Sequence, residues 1–497
     1  MNYISTRDSK NTISFTAAEA IKQGLAPDGG LLVPERIPTI DKDFVISLFG
    51  LDYSEKAARI LHLFLEDFDY NKLLDDCRKA YAIPTSFDTQ PDTVVQVTDK
   101  LYSLELWHGP TSAFKDMALQ IMPRLLSTSL KMTGEKRTAL ILTATSGDTG
   151  KAALEGYKNV DGTKIIVYYP VDGVSTVQKL QMVTQDGDNV NVCAITGNFD
   201  DAQSGVKAIF SDIKFAKKLD SNGYFLSSAN SINWGRLAPQ IAYYISAYSG
   251  MVEKGALEYG EKLDVCVPTG NFGNILAAYF AKIMGLPIGT LICASNSNNV
   301  LTDFLATGTY NRNREFKTTI SPSMDILISS NLERLIWLFA GAEQTAKYME
   351  ALRSDGIYTV SDTIKAEIDK TFVGYFATED DTSATIRHHY EKNGYLCDTH
   401  TAVAMYCAQK YLADTQSDRK ILVASTASPY KFAADVYSAI DSDSSPKGTA
   451  ALEALTVKTG VTIPRPLADI DSRTIRFNKT ILPQDMRKSI TDYLEIK

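Results

Sequence analysis

Thr138-Ala139-Leu140-Ile141-Leu142-Thr143-Ala144 runs directly into Thr145-Ser146-Gly147-Asp148-Thr149-Gly150. A short apolar run that ends in a glycine turn reads as a strand buried on both faces, and a helix is expected from Thr149. The same pattern recurs at 165–169, 190–195, 264–267, 291–294 and 421–424, with helical stretches between most of these runs. That alternation predicts an α/β chain of open, mainly parallel sheets. Ligands of such sheets bind where strands end and helices begin, so the loops there are where chemistry is expected.

Outward from this centre the texture changes. The first 95 or so residues carry a Gly/Pro-rich segment, Leu25-Ala26-Pro27-Asp28-Gly29-Gly30-Leu31-Leu32-Val33-Pro34, followed by mostly helical patterns. Residues 84–91 make a link into the next unit. The last stretch, 457–497, reads as a mixed strand-and-helix tail packed back on the body. The expected division is 1–95, then 96–456 as two α/β subdomains (the smaller about 128–225), then 457–497.

A chain of 497 residues has room for about three domains. Its 44% hydrophobic and 22% charged residues are those of an ordinary globular protein, able to bury a large core. A net charge of −8 argues against nucleic acid or an anionic membrane as partner. The six cysteines include no C-x-x-C pair, and the five histidines form no metal-ligand pattern, so no metal is expected. The opening residues, Met1 through Arg7, lack the apolar run of a signal peptide. No apolar stretch approaches the roughly 20 residues of a membrane span, and a cytoplasmic location is expected.

Three segments carry chemistry. In His108-Gly109-Pro110-Thr111-Ser112-Ala113-Phe114-Lys115-Asp116, Gly-Pro makes a turn, Ser112 is the expected N-cap, and Lys115 falls in the first helical turn. The helix dipole there disfavours its charge, which suits a Schiff-base amine if the side chain is also buried. Alone, the segment better describes a surface lysine beside Asp116. The turn 145–150 offers N–H and O–H donors to an anion, although many such turns only cap a helix. Pro268-Thr269-Gly270-Asn271-Phe272-Gly273-Asn274 precedes an expected helix over 275–284, and its amides can surround a phosphate. It has neither the Walker nor the dinucleotide spacing. A helix-start lysine with two anion loops suits a phosphorylated aldehyde cofactor.

Taken together, these segments resemble the threonine synthase family of fold-type-II (tryptophan synthase β-like) pyridoxal phosphate enzymes. The likeness runs collinearly through Tyr3 to Arg7, the 24–31 segment, Ala113-Phe114-Lys115-Asp116, the 145–150 turn, Asn230-Ser231-Ile232-Asn233 and Gly270-Asn271-Phe272-Gly273-Asn274. It continues through Ser321-Pro322-Ser323-Met324-Asp325, the 329–334 segment, the 398–402 segment and Ser425-Thr426-Ala427-Ser428-Pro429. The resemblance implies a lyase with an N-terminal threonine-synthase domain and a pyridoxal-phosphate-binding catalytic region. It implies conversion of O-phospho-L-homoserine and water to L-threonine and phosphate, the last step of threonine biosynthesis, by a monomer or homodimer. By the same resemblance Lys115 forms the Schiff base and shuttles protons. Gly270, Asn271, Phe272, Gly273 and Asn274 hold the cofactor phosphate, and Thr426 meets the pyridine nitrogen. Ser146, Gly147, Asp148 and Thr149 receive the substrate carboxylate, while Asn230, Ser231, Asn233 and Arg236 serve its phosphate or carboxylate.

The chain departs from the family pattern at Ser428 and Tyr430, where many relatives read His and Ala. Pro123 should kink or end the lysine helix early. His400 is expected to be a satisfied structural residue, His388 and His389 to lie on a solvated helix face, and Phe114 to be core. Lys431 stands as a further candidate for the substrate phosphate. A dehydratase or another phospho-specific lyase would share the cofactor sites, and a non-catalytic paralogue is a third reading. The N-terminal segment and residues 321–334 favour threonine synthase over these.

Overall fold

The computed structural model describes residues 1–10, 12–171, 174–441 and 446–496. Strands Thr138–Ala144 and Val190–Ile195 match the sequence reading residue for residue. Four others extend past it, to Thr163–Pro170, Leu263–Pro268, Ile288–Ser295 and Ile421–Ser425. The additional residues are mostly polar or proline ends, which a search for apolar runs passes over.

Two sheets organise the body. The smaller has five parallel strands in the order Thr480–Ile481, Val190–Ile195, Thr163–Pro170, Thr138–Ala144, Tyr224–Ser227. The larger has six, in the order Phe372–Phe376, Ile288–Ser295, Leu263–Pro268, Ile421–Ser425, Leu101–Glu105, Thr93–Gln96, and only the last pair is antiparallel. Both faces of the small sheet are covered. Leu140 and Leu142 pack with Ile166 and Tyr168 in one core. Ala139 and Ile141 turn the other way, with Ile165 and Val167, into the main core. This two-sided burial is why the strand shows no polar alternation, and truncating either leucine to alanine should cost about 2–5 kcal/mol.

The regular structure of the N-terminal region is mainly helix, at Ala17–Gln23, Lys42–Ile46, Tyr53–His62 and Tyr70–Ala80, although most of its residues lie in loops and turns. Each helix starts at a side-chain cap, Thr16, Asp41, Asp52 and Asp69 respectively. This region is fastened to the body by Arg7, which pairs with Glu333 at 2.7 Å, and by the Thr6 hydroxyl, which donates to the same carboxylate at 2.6 Å. At the other end of the chain, Thr480 and Ile481 pair with Ala194 and Ile195, and Met486 and Ile490 enter the small sheet's core. Residue 457 falls inside helix Ala450–Thr459, residue 128 inside helix Met122–Met132, residues 95 and 96 inside strand Thr93–Gln96 and residue 225 inside strand Tyr224–Ser227, so none marks a break between elements. Lys497 lies outside the described residues.

The lysine helix does end early. Asp116–Leu119 stops, and Met122–Met132 begins with Pro123 in its first turn, where a missing N–H breaks no hydrogen bond. The pairing of His388 with His389 on a solvated face is corrected. His388 is exposed, but His389 is fully buried in helix Glu379–Asn393, with Nε2 3.2 Å from the Gln409 amide. Neighbours on a helix point about 100° apart, so one side chain can face solvent and the next the core. Among the described residues, no helix is long and apolar enough to cross a membrane.

Candidate active site

The lysine loop is built by a clip that local capping rules do not anticipate. The N–H and Oγ of Thr111 both donate to the Asp116 carboxylate at 2.8 Å. Gly109 must be glycine for this, because a Cβ there would lie 2.7 Å from the Asp116 Cβ. Ser112 consequently takes a left-handed φ of 57° and caps nothing; its buried hydroxyl has no partner, and Lys115 itself holds the cap position. The following helix has only four residues, so its dipole is small. Two further bonds clamp the loop to the end of the large sheet's central strand: Phe114 N–H to Thr426 O at 2.8 Å and Ser428 N–H to Ser112 O at 3.0 Å. Lys115 and Thr426 are thereby neighbours.

Asp148, the first residue of helix Asp148–Tyr157, sits among cations. Its carboxylate lies 3.0 Å from Lys431 Nζ and 3.7 Å from Lys115 Nζ. It accepts from Gln178 Nε2 at 2.9 Å and from Ser323 Oγ at 3.5 Å. Burial alone would raise this carboxyl, but Lys431, Lys115 and Gln178 outweigh it and hold Asp148 below the usual carboxylate range. For Lys115 burial is the largest influence and lowers the pKa. Asp148 opposes that, while the positive charges of Lys431 and Arg236 reinforce it. The amine therefore gives up its proton more easily than a free lysine does. Its Nζ also lies 4.8 Å from the ring centroid of Phe114, a half-buried residue that packs on the main core as expected.

Two expectations change here. An ionised Asp148 side chain facing two lysines repels a substrate carboxylate, so it can serve one only through its backbone N–H. Lys431 is fully buried and also donates to Thr111 O and Gln181 Oε1, at 2.9 and 3.0 Å. Its three protons are all engaged by protein, which leaves none for a phosphate. His400 is structural, as expected: Nε2 accepts from Ser323 N–H at 3.1 Å, which puts the proton on Nδ1, 2.8 Å from Asp398.

Around Asp148 the 145–150 turn forms a helix start without a side-chain cap. Gly147, at φ 135°, adopts a conformation closed to other residues, and a Cβ would meet the Gln178 amide at 2.4 Å. Thr145 Oγ1 accepts from the N–H groups of Gly147 and Gly150, while Ser146 and Thr149 remain half-buried.

The second anion turn lies across from the first, joined through Ser323. Ser323 Oγ reaches Asp148, and its carbonyl oxygen would be 2.7 Å from a Cβ on Gly270. Phe272 takes a left-handed φ of 61° and starts helix Gly273–Ile283 with no side-chain cap. Among the described residues no acceptor meets the N–H groups of Gly273, Asn274 or Ile275. Asn274 Nδ2 is buried and likewise unpartnered. Uncapped amides and an orphaned amide at the positive end of an eleven-residue helix fit a phosphate. Phe272 offers only its backbone, since its ring is buried against Phe372. Thr426 is nearly buried, and its hydroxyl has no hydrogen-bond partner among the described residues, as a group reserved for a ring nitrogen would be. The residues present therefore fit pyridoxal phosphate.

The 230–236 segment divides. Ser231 lies against Gly273, and Asn230 is half-buried beside it. Among the described residues, Arg236 is buried without a carboxylate and its Nε has no partner; one nitrogen donates to Ala229 O, and burial lowers its pKa to about 10. Asn233 is a correction. It caps helix Trp234–Glu253, accepting from Gly235 N–H and donating to Ile21 O, which uses both ends of its amide. Arg334 was missed by sequence reasoning. It is fully buried, and its guanidinium donates to Leu32 O, Ile232 O, Ser231 O and Asn331 Oδ1. Asn331 in turn donates to Asn271 O at 3.1 Å.

Comparison with known proteins places the chain in a family. Residues 2–81 match the family described as threonine synthase N terminus, residues 95–427 the pyridoxal-phosphate dependent enzymes, and residues 401–480 the threonine synthase C-terminal family. The threonine synthase of Pseudomonas aeruginosa is 36% identical, over 98% of this chain and 97% of its own length. Human threonine synthase-like 1 is 38% identical over 85% of this chain, which spans only 58% of that longer protein. A crystal structure of pyridoxal-phosphate-bound threonine synthase from Brucella melitensis superposes with a TM-score of 0.87 at 35% identity, covering 99% of this chain and 98% of that one.

Proposed function

This chain belongs to the threonine synthase family of pyridoxal-phosphate-dependent enzymes, and from that premise we propose that it converts O-phospho-L-homoserine and water to L-threonine and phosphate. The observation that carries the reading is the setting of one amine. Lys115 is held beside Thr426, 3.7 Å from Asp148, with Ser323 linking that carboxylate to the uncapped helix start at Gly273.

Lys115 would hold the cofactor, with the amides of Gly270, Asn271, Phe272, Gly273 and Asn274 around its phosphate and the Thr426 hydroxyl at its pyridine nitrogen. When bound, pyridoxal phosphate supplies an electron-withdrawing ring that acidifies the substrate α-proton. Lys115 Nζ, whose pKa burial lowers, takes that proton and delivers protons further along the substrate. Asp148 stabilises the ammonium so formed, and Lys431 keeps Asp148 ionised. The N–H groups of Asp148 and Thr149, with the hydroxyls of Ser146 and Thr149, receive the substrate carboxylate, while the Gly147 N–H stays on Thr145 Oγ1. Arg236, with Asn230 and Ser231, binds the substrate phosphate and stabilises it as it leaves. An N-terminal unit, a catalytic region and a tail, divided before strand Thr93–Gln96 and after helix Ala450–Thr459, act in a cytoplasmic monomer or homodimer, with no nucleic acid or membrane as partner.

The test is phosphate and threonine production from O-phospho-L-homoserine by the wild-type protein and by Lys115→Ala. Both products should appear with the former and vanish with the latter. Retained turnover in the variant, or 2-oxobutanoate as the main product, overturns the reading.

A further inference from the structure

We propose that Tyr243 and Tyr244 are positioning residues that dictate which way the Asn274 amide faces, and so set the chain's selectivity for a phosphorylated over an unphosphorylated cofactor. The inference rests on the reading above that the 270–274 turn holds the cofactor phosphate.

Both tyrosines lie on helix Trp234–Glu253, fully buried, with ring centroids 4.7 Å apart. The Tyr243 hydroxyl donates to Asn274 Oδ1 at 2.7 Å, and the Tyr244 hydroxyl donates to the same oxygen. A carbonyl oxygen has two lone pairs, so this pair of donors saturates it. Tyr243 is also 3.3 Å from Gln240 Oε1, which leaves its proton facing acceptors on both sides. Gln240 is itself fixed, because its Nε2 donates to Arg236 O at 2.7 Å.

An asparagine amide is nearly symmetric in shape, and the surrounding donors decide which end faces which way. The Tyr244 proton has Asn274 Oδ1 as its acceptor, and Tyr243 lies closer to Oδ1, at 2.7 Å, than to Gln240 Oε1, at 3.3 Å, so the pair draws Oδ1 toward itself and turns Nδ2 away. Nδ2 then carries two buried N–H groups with no protein acceptor. Left unmet, such buried donors are destabilising, a penalty removed when an anion accepts from them. They emerge in the first turn of helix Gly273–Ile283, beside the equally unmet N–H groups of Gly273 and Ile275. Without the tyrosines the amide can rotate, and Oδ1 would then repel the phosphate oxygens.

The test titrates the full-length, cofactor-stripped protein with pyridoxal phosphate and with pyridoxal, which lacks the phosphate, following the change in absorbance. The variants are Tyr243→Phe, Tyr244→Phe, the double variant and Asn274→Ala. In the double variant the Kd for pyridoxal phosphate should rise at least about tenfold while that for pyridoxal stays within about twofold. Asn274→Ala should give the same selective loss, and adding it to the double variant should change nothing further. Equal weakening of both ligands, or of neither, in the tyrosine double variant overturns the inference. If Asn274→Ala is selective and the tyrosine variants are not, the tyrosine role alone falls. If Asn274→Ala spares both ligands, the phosphate reading of the turn falls and takes this inference with it. Should the double variant not fold, each single variant supplies the same ratio, with a selective loss of about twofold or more expected and an equal loss refuting.

Discussion

Replacing Lys431 with methionine isolates what the Asp148 cluster does, because methionine keeps most of the buried volume and removes only the charge and the donors. At 3.0 Å the Lys431–Asp148 pair is worth about 5 kcal/mol of Coulomb attraction at an effective dielectric of about 20. Desolvation offsets part of that in the intact protein. Deleting one partner of a buried pair strands the other, and the measured penalty for doing so is about 3–5 kcal/mol. Thr111 O and Gln181 Oε1 lose a donor as well. We expect Lys431→Met to lose about 3–5 kcal/mol in urea unfolding, a large share of the 5–15 kcal/mol typical of a domain. A second effect follows at the reactive amine. Lys115 loses a neighbouring positive charge that depresses its pKa, so its pKa rises. Capture of pyridoxal phosphate, followed by absorbance from neutral to alkaline pH, should therefore shift to higher pH. An unchanged urea midpoint together with an unchanged pH profile would refute the claim that these three side chains share one buried charge system.

Two further outcomes are expected. Burial pushes His389 down to about 4 from its ordinary 6.5, so between those values the unfolded chain binds the extra proton. Its contribution to stability is complete above 6.5 and is lost as pH falls toward 4, about 2 kcal/mol after allowance for screening; His389→Gln should flatten that slope in urea unfolding, and an unaltered slope would refute it. Arg334→Met leaves the carbonyls of Leu32, Ser231 and Ile232 without their donor, at about 1–3 kcal/mol for each one that stays buried. Amide exchange should accelerate in both the 30–34 and the 230–235 segments, and acceleration confined to one of them would show that Arg334 does not join the two.

The parallel strands were legible because strands buried on both faces are apolar throughout, and the two anion turns because Gly147 and Gly270 occupy positions where a Cβ collides with a neighbour. Lys115 could be found from its place between such turns. What surrounds it could not. Lys431, Ser323 and Asp148 meet only after segments hundreds of residues apart are folded together. Tyr243 and Tyr244 look like core in a sequence and carry polar duty only through Asn274. Ser112 went wrong for a local reason: Thr111 and Asp116 satisfy each other first, and that clip overrides the N-cap preference. Asn233 went wrong in the opposite direction, a cap read as a ligand.

The strand order has a temporal side. Ile421–Ser425 lies between Leu263–Pro268 and Leu101–Glu105, so the large sheet has a gap at its centre until most of the chain has left the ribosome. The same late segment brings Thr426, whose carbonyl clamps the loop bearing Lys115. Pairings between partners so distant in sequence form slowly, and they leave strand edges open to wrong neighbours in the meantime. A chain without Ile421–Ser425 and Thr426 thus has neither that strand in its large sheet nor the carbonyl that clamps the loop bearing Lys115.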